Sequence, residues 1–469
     1  MEPLLTLATV VVASSIGLLL ARKRRQRRLD AWRLAAKRVG LTDVQLEEGG
    51  LWGEGALLGR SGDLHVRLEV YAAGKSESGT KIVVSGLGDG AGGLSLRREG
   101  LSTALERRVV GDREIRVGDP SFDEEYYVQG EPALVLALLD ADTRATLAAL
   151  MRNRVSTPRG ESVKAGTSLN DGVLEVRVQD GAFSTNLQRL PDVLAAVIEV
   201  ARRLVAPVDL AARIASNLRA EPEAGVRLQC LTTLAREFPD DPATREALLR
   251  AREDPHAEVR LRAGIALGSE GRDVLRAVAA GEGAADETTE RAVAALEPEL
   301  TVEEAMGLLR AALRTRRIAT AKACLVAVGR RGGTEAIALL ARVLAVETGE
   351  LAWAAARALA ITRDPAAEEP LLRALVEGSR DLRLAAAAAL RHVGTATAVA
   401  PLREAEQHDA EMRRTVRQAI AEIQSRLSGA EPGQLSLAGG EAGRLSLAEG
   451  EEGRLSLARE GRDDGGPSG

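Results

Sequence analysis

Between Pro207 and Leu427, apolar residues recur at helical spacing and one ten-residue phrase returns seven times. The copies are Val226–Ala235, Val259–Gly268, Thr288–Glu297, Thr320–Gly329, Leu351–Ala360, Leu382–Arg391 and Met412–Ala421. Their steps are 33, 29, 32, 31, 31 and 30 residues. That period fits one helical hairpin per repeat, each burying an apolar face that it cannot bury alone. Within a phrase, Val259, Ala263 and Leu267 stand at i, i+4 and i+8 on one helix face, and the small middle residue lets paired helices approach. The partner helices are predicted at Ala243–Ala251, Asp273–Ala280, Glu303–Leu313, Glu335–Leu344, Glu368–Val376 and Thr397–Glu404. Asp254-Pro255 and Asp364-Pro365 fall between helices, where a proline belongs.

Before the array the period changes from helical to two. Leu29–Val39 reads as a helix; Leu51–Leu58, Leu64–Tyr71, Thr80–Ser85, a segment containing Tyr126–Val128, and Val173–Val178 read as strands. Pro132–Met151 and Leu190–Val205 read as helices. Strands in runs with helices at the ends predict an α+β domain with an antiparallel sheet. At the amino terminus Pro3–Ala21 carries no charge, and six of the seven residues Arg22–Arg28 are basic. An apolar run of that length is about the minimum for a membrane-spanning helix, and the basic flank sets its cytoplasmic end. The expectation is a single-pass protein of the inner (cytoplasmic) membrane, with residues 22–469 in the cytoplasm. After Gly429 the helical period stops. Gly433-Gln-Leu-Ser-Leu-Ala, Gly443-Arg-Leu-Ser-Leu-Ala and Gly453-Arg-Leu-Ser-Leu-Ala recur every ten residues among Gly and Glu. Such short apolar clusters predict a disordered tail. Three copies of one motif could occupy a groove with avidity, or they could be low-complexity repetition. Four segments result: an anchor with its basic flank (1–28), an α+β domain of unassigned role (29–206), an α-solenoid (207–428) and the tail (429–469).

Composition narrows the choices. Apolar residues at 45% suffice for real cores, while aromatics at 2% suit Ala- and Leu-rich helices. Net charge is −5. Residues 207–428 hold 33 acidic and 31 basic side chains, a balance that argues against nucleic acid as the partner of the array. Cys230 and Cys324 both occupy the fifth phrase position, so they are expected to be free and buried.

Asp254-Pro-His-Ala-Glu-Val-Arg-Leu-Arg-Ala-Gly-Ile-Ala-Leu-Gly268 resembles the bacterial HEAT-repeat phrase D-P-x-x-x-V-R-x-x-A-A-x-A-L-G, and Gly378–Leu390 is a second match. Thr288 and Thr320 depart from it at the leading apolar position. The resemblance implies HEAT-type helical hairpins, and a structural role for the shared-position Arg227, Arg260, Arg383 and Arg413, which in HEAT proteins commonly pair with an acid across repeats. In the amino-terminal half, Asp119-Pro-Ser-Phe-Asp-Glu-Glu-Tyr-Tyr-Val128 resembles a "GDPxFDxxFxV" phrase of uncharacterised membrane-anchored bacterial domains, which implies no activity. Its acids Asp119, Asp123, Glu124 and Glu125 read as solvated residues around a proline turn.

Candidate chemistry is sparse. Gly88-Asp-Gly-Ala-Gly-Gly93 matches G-x-G-x-x-G, but alternating strands precede it and no βαβ unit surrounds it, so a flexible loop is the better reading. HEAT-like enzymes include a hydroxylase with His-Glu dyads, but none of His65, His256, His392 and His408 precedes a Glu, and no two His stand at ligand spacing. The sequence thus points to no catalytic residue, cofactor or metal. A local basic stretch, Arg310, Arg314, Arg316, Arg317, Lys322, Arg330 and Arg331, is the candidate partner-binding patch. Trp353 stands where other copies carry Leu228, Leu261 and Leu384, and reads as a core residue. The resulting expectation is a non-catalytic, membrane-anchored scaffold whose repeat surface binds protein partners. The alternative is a HEAT-like enzyme or nucleic-acid-processing module, of lyase or DNA-repair type, acting through Arg310–Arg331.

Overall fold

The computed structural model describes residues 22–428 apart from 24, 48–54, 74–76, 89–93, 99–113, 153–154, 157–161, 164–165, 171, 180–185, 206–208, 282 and 407–409. The expected span at 3–21 and the tail at 429–469 lie outside the described residues. Among the described residues no helix is long and apolar enough to cross a membrane. The chain divides into two compact units, Met1–Asp254 and Pro255–Gly469.

The first unit is built on an antiparallel sheet. Its strands are β1 (Thr42–Glu47), β2 (Ala56–Ser61), β3 (Leu64–Ala73), β4 (Glu77–Ser85), β5 (Ser95–Arg98), β6 (Tyr126–Gln129), β9 (Gly166–Asn170) and β10 (Val173–Gln179), in the order β1-β2-β3-β4-β10-β9-β5-β6. Two short strands, β7 (Val155–Ser156) and β8 (Ser162–Val163), pair separately. The period-two pattern explains the two faces. Val66 lies opposite Val84 and Leu68 opposite Ile82, while Leu174 faces Val84 and Val176 faces Ile82. All six are buried. On the other face Lys81 lies 3.1 Å from both Glu69 and Glu175, and Glu69 also takes Arg67 at 2.9 Å. The helix over residues 25–38 buries Trp32, whose indole nitrogen donates to Thr80 Oγ1 at 3.0 Å. Helix Asn186–Arg203 packs against β4 and β10.

Five strands, β1, β5, β7, β8 and β9, lie where the sequence pattern did not place them, and two of them are instructive. β1 is an exposed edge strand with a register break between Thr42 and Gln45 and Asp43 at φ 50°. A bulged, solvated edge carries no clean alternation. Ser95–Arg98, which follows the Gly-rich run, is a strand paired with β6 and β9. It is not a phosphate-binding helix, so the described flank of that run lacks the βα turn a dinucleotide site needs. The predicted Pro132–Met151 helix is two helices, Pro132–Leu138 and Ala141–Arg152, separated at Leu139-Asp140. The break presents carbonyls that later helices cap. Asn217 Nδ2 donates to Leu136 O and Ala137 O at 2.9 Å, and Arg213 donates to Ala137 O. Helices Leu210–Ala220, Ala224–Glu237 and Pro242–Ala251 complete this unit.

The second unit is helical and solenoid-like. Its phrase helices are Ala257–Leu267, Asp286–Leu296, Ile318–Arg331, Gly349–Thr362, Arg380–Val393 and Ala410–Ser428, each packed on the next. Between them run Arg272–Ala279, Val302–Arg314, Thr334–Val346, Glu368–Glu377 and Val399–Ala405. Every predicted helix of the array is present. The i, i+4 positions of the phrase are buried, as in Val259 and Ala263, Leu351 and Ala355, and Met412 and Val416. Gly329, at the end of its phrase, lets two phrase helices come close: a Cβ there would sit 2.5 Å from Ala358 O of the next phrase helix.

Candidate functional site

The recurring arginine has a local structural role. Arg227 donates to Pro222 O at 2.8 Å, Arg260 to Pro255 O at 3.1 Å and Arg383 to Gly378 O at 2.8 Å. Each clamps the carbonyl five residues upstream, in the loop that enters its helix. Arg227 also makes the expected ion pair with an acid of the next repeat, a two-pronged contact to Asp254 at 2.7 and 2.9 Å. The threonines that replace the leading apolar residue serve the same register. Thr288 Oγ1 donates to Glu258 at 3.0 Å, and Thr320 Oγ1 donates to Asp286 Oδ1 at 2.6 Å. A buried hydroxyl is tolerated because its partner comes with the preceding repeat.

The Asp119–Val128 phrase is also structural, and its acids depart from the sequence reading. Asp119 caps helix Pro120–Glu125 by accepting from Phe122 N, and it receives Arg144 Nε at 3.1 Å. Asp123 accepts from Val117 N and Gly118 N at 2.9 Å. These two are engaged rather than solvated, while Glu124 is exposed. Phe122 and Tyr126 stack with ring centroids 4.5 Å apart. Among the described residues no group of His, Cys, Asp and Glu could hold a metal ion.

Five of the seven residues of the basic stretch are engaged within the chain. Arg316 pairs with Glu347 at 3.0 Å and Lys322 with Glu350 at 3.0 Å. Arg317 donates to Gly281 O and Thr289 Oγ1. Arg330 pairs with Glu297 at 2.7 Å, and Arg331 donates to the carbonyl of the same residue. Arg310 and Arg314 are exposed one turn apart on helix Val302–Arg314. Of the seven, Lys322 alone lines the groove beside Trp353.

That groove runs across consecutive phrase helices. Side chains at i, i+4 and i+8 form three stripes: Lys322 and Val326; Trp353, Arg357 and Ile361; and Leu384, Ala388 and His392. Two recesses of about 760 and 1010 Å³ meet at Trp353, Arg357 and Ile361. Trp353 is therefore not a core residue: it is 44% exposed, and the guanidinium of Arg357 lies 4.9 Å from its ring centroid. The small Ala388 of the neighbouring stripe leaves the space beside it open. The sequence signal was the substitution of Trp for Leu at a phrase position; burial of the leucines at that position is itself uneven, Leu261 being buried and Leu384 half-buried.

The lining is electrically polarised. One mouth carries Glu290, Glu347, Glu350 and Asp381 beside Lys322. The other carries Arg357, Arg363, Arg391 and His392. Among the described residues no carboxylate pairs with Arg357, Arg363 or Arg391, and Arg391 Nε is buried with no acceptor. Arg391 Nη2 instead lies 3.3 Å from His392 Nε2. Partial burial, then the positive charge of Arg391, holds the His392 imidazole below its ordinary range, with Arg426 and Arg363 adding to the effect and Glu422 opposing it. The site thus offers an aromatic platform, apolar walls and guanidiniums that meet no carboxylate among the described residues, with Arg391 Nε left without an acceptor.

No protein-family model matches this chain, and no curated protein sequence matches it.

Proposed function

We propose that this protein is a non-catalytic, membrane-anchored adaptor whose helical repeats, of HEAT type, hold an extended polypeptide in the Trp353 groove. The observation that carries the reading is the exposed Trp353–Arg357 stack between an acidic and a basic mouth. Exposed tryptophan and arginine, once covered by a partner, are the residues that dominate peptide and protein recognition. Guanidiniums without a carboxylate partner among the described residues suit a carboxylate on the bound segment, and the mixed charge suits a polypeptide better than a phosphate backbone. The HEAT assignment rests on the phrase Asp254–Gly268 and on the recurring arginine. The anchor rests on the uncharged Pro3–Ala21 followed by Arg22–Arg28, which would put the groove on the cytoplasmic side.

Selection of a displayed library of random peptides on the full chain tests the groove. Peptides retained by the wild type should carry an apolar pair flanked by a basic and an acidic end, and Trp353→Ala should weaken them by about tenfold or more. Retention unchanged by Trp353→Ala and by Arg391→Glu would refute the groove as the binding surface. Deleting residues 3–21 should move the protein from carbonate-resistant membranes to the soluble fraction.

A further inference from the structure

The chain itself carries a segment with the chemistry of this groove. In Arg444-Leu-Ser-Leu-Ala-Glu449 a basic residue, an alternating apolar pair and an acid follow in order, and Glu451 and Glu452 extend the acidic end. In an extended backbone Leu445 and Leu447 point the same way. Their spacing of about 7 Å matches the one-turn step from Trp353 to Arg357, so they would lie over that stack with Arg444 at the acidic mouth and the glutamates at the arginines. We propose that this second copy of the tail motif docks in the Trp353 groove of its own chain. The inference rests on the groove being a polypeptide site, and names its resident occupant.

Reach selects the copy. The last phrase helix, Ala410–Ser428, contributes Thr415 to the wall of the basic recess. From Ser428 back to Thr415 is about 20 Å along a helix. Two helix-to-helix steps of about 9 Å then lead to the helix of Trp353. The seven residues from Ser428 to Leu435 of the first copy extend about 24 Å at most, which falls short of that combined path. The seventeen residues to Leu445 extend about 58 Å, which covers it with slack. Charge order makes the same choice. The first copy has Gln434 in place of the arginine, and the third has Arg459 directly after its alanine. The second alone matches both mouths. Tethering raises the local concentration of the motif to the millimolar range, so even a weak intramolecular contact would be populated. An external peptide would then bind with an affinity reduced by the fraction of grooves already filled.

The test places a photo-crosslinking amino acid at position 388 of the full chain, where an exposed alanine lines the same recess and Trp353 is kept, purifies the protein in detergent and maps the products by mass spectrometry. The expected product is an intramolecular link to residues 443–452, independent of protein concentration. Leu445→Ser with Leu447→Ser should reduce it by about tenfold, and a synthetic peptide of residues 443–452 should compete with it. A link that appears only between two chains, or no link to residues 429–469, overturns the proposal. If the same probe captures an added library-selected peptide but never the tail, the tail inference fails while the groove reading stands. If it captures neither, both fail.

Discussion

In the sheet unit Arg144 is shut from solvent between Asp119 at 3.1 Å and Glu221 at 2.8 Å, its side chain 3% exposed. In the helical unit Lys322 meets Glu350 at much the same distance, 3.0 Å, but with side chains 44% and 74% exposed. The distances are alike, and the energetic consequences are not. A buried ion pair is weak net stabilisation, yet removing one partner strands a charge away from water. An exposed pair leaves both partners hydrated when it is broken. Arg144→Ala should therefore destabilise the sheet unit by about 3–5 kcal/mol, read as loss of amide-exchange protection in helices Pro132–Leu138 and Leu210–Ala220. Lys322→Ala should cost about 0.5 kcal/mol or less. Adding Glu221→Leu to Arg144→Ala should recover part of the loss, because the stranded carboxylate is then gone. Equal effects of Arg144→Ala and Lys322→Ala would mean that Arg144 is not held in a dry site.

The units also differ in what sets the distance between elements. In the sheet unit spacing comes from the hydrogen-bond ladder, and side chains fill the face. In the helical unit it comes from how small the contact residues are. Gly329 and Gly307 separate these causes within one array. A Cβ at Gly329 would meet Ala358 O at 2.5 Å, whereas one at Gly307 meets nothing within 4 Å. Gly329→Ala should destabilise by about 1–3 kcal/mol through overpacking against backbone. Gly307→Ala should stabilise by up to about 1 kcal/mol through helix propensity. Denaturant midpoints of the two variants should move in opposite directions; movement in the same direction would put the Gly329 approach in doubt.

That contrast explains what could be read from the residues. The repeat helices were legible because each phrase position answers to the same neighbour every thirty residues or so, and even Thr288 and Thr320 fit once their acid partners are seen. The antiparallel sheet was legible where a long strand buries one face, as at Val66 and Leu68, but the short β5 and β9 were missed although Leu96 and Leu169 are buried. β1 was not legible, because an exposed edge has no face to encode. The candidate site was half legible. A Trp at a leucine position marked Trp353, but its exposure depends on Ala388 in the next helix, some thirty residues away. The ion pairs of the basic stretch were hidden for the matching reason: Arg316, Lys322 and Arg330 look unopposed along the chain, and their carboxylates arrive from elsewhere in the array. Cys230 and Cys324, expected to be free and buried, are both, and burial pushes each thiol up to about 12.

The smallest predicted effect distinguishes the units by sign. Asp123 and Asp286 each accept two backbone N–H groups, Asp123 at 2.9 Å from Val117 and Gly118 and Asp286 at 2.8 and 3.0 Å from Ala319 and Thr320. Burial pushes the Asp123 carboxyl above its ordinary range, outweighing those bonds, and the neighbouring Asp119 adds to the rise. Partial burial also pushes Asp286 up, but the hydroxyl and N–H of Thr320, the N–H of Ala319 and nearby Arg317 hold it below. For Asp123 the folded state binds the extra proton, so its contribution falls as pH rises from the ordinary aspartate value through the raised one. For Asp286 the unfolded chain binds it, so the contribution is full above the ordinary value and is lost as pH falls through the lowered one. Unfolding from about pH 3 to about pH 6 should show the stability advantage of wild type over Asp286→Asn growing with pH. The advantage over Asp123→Asn should shrink across the same range. Parallel curves for the two variants would mean that the burial of Asp123 and the Thr320 hydroxyl at Asp286 do not set these carboxyls apart.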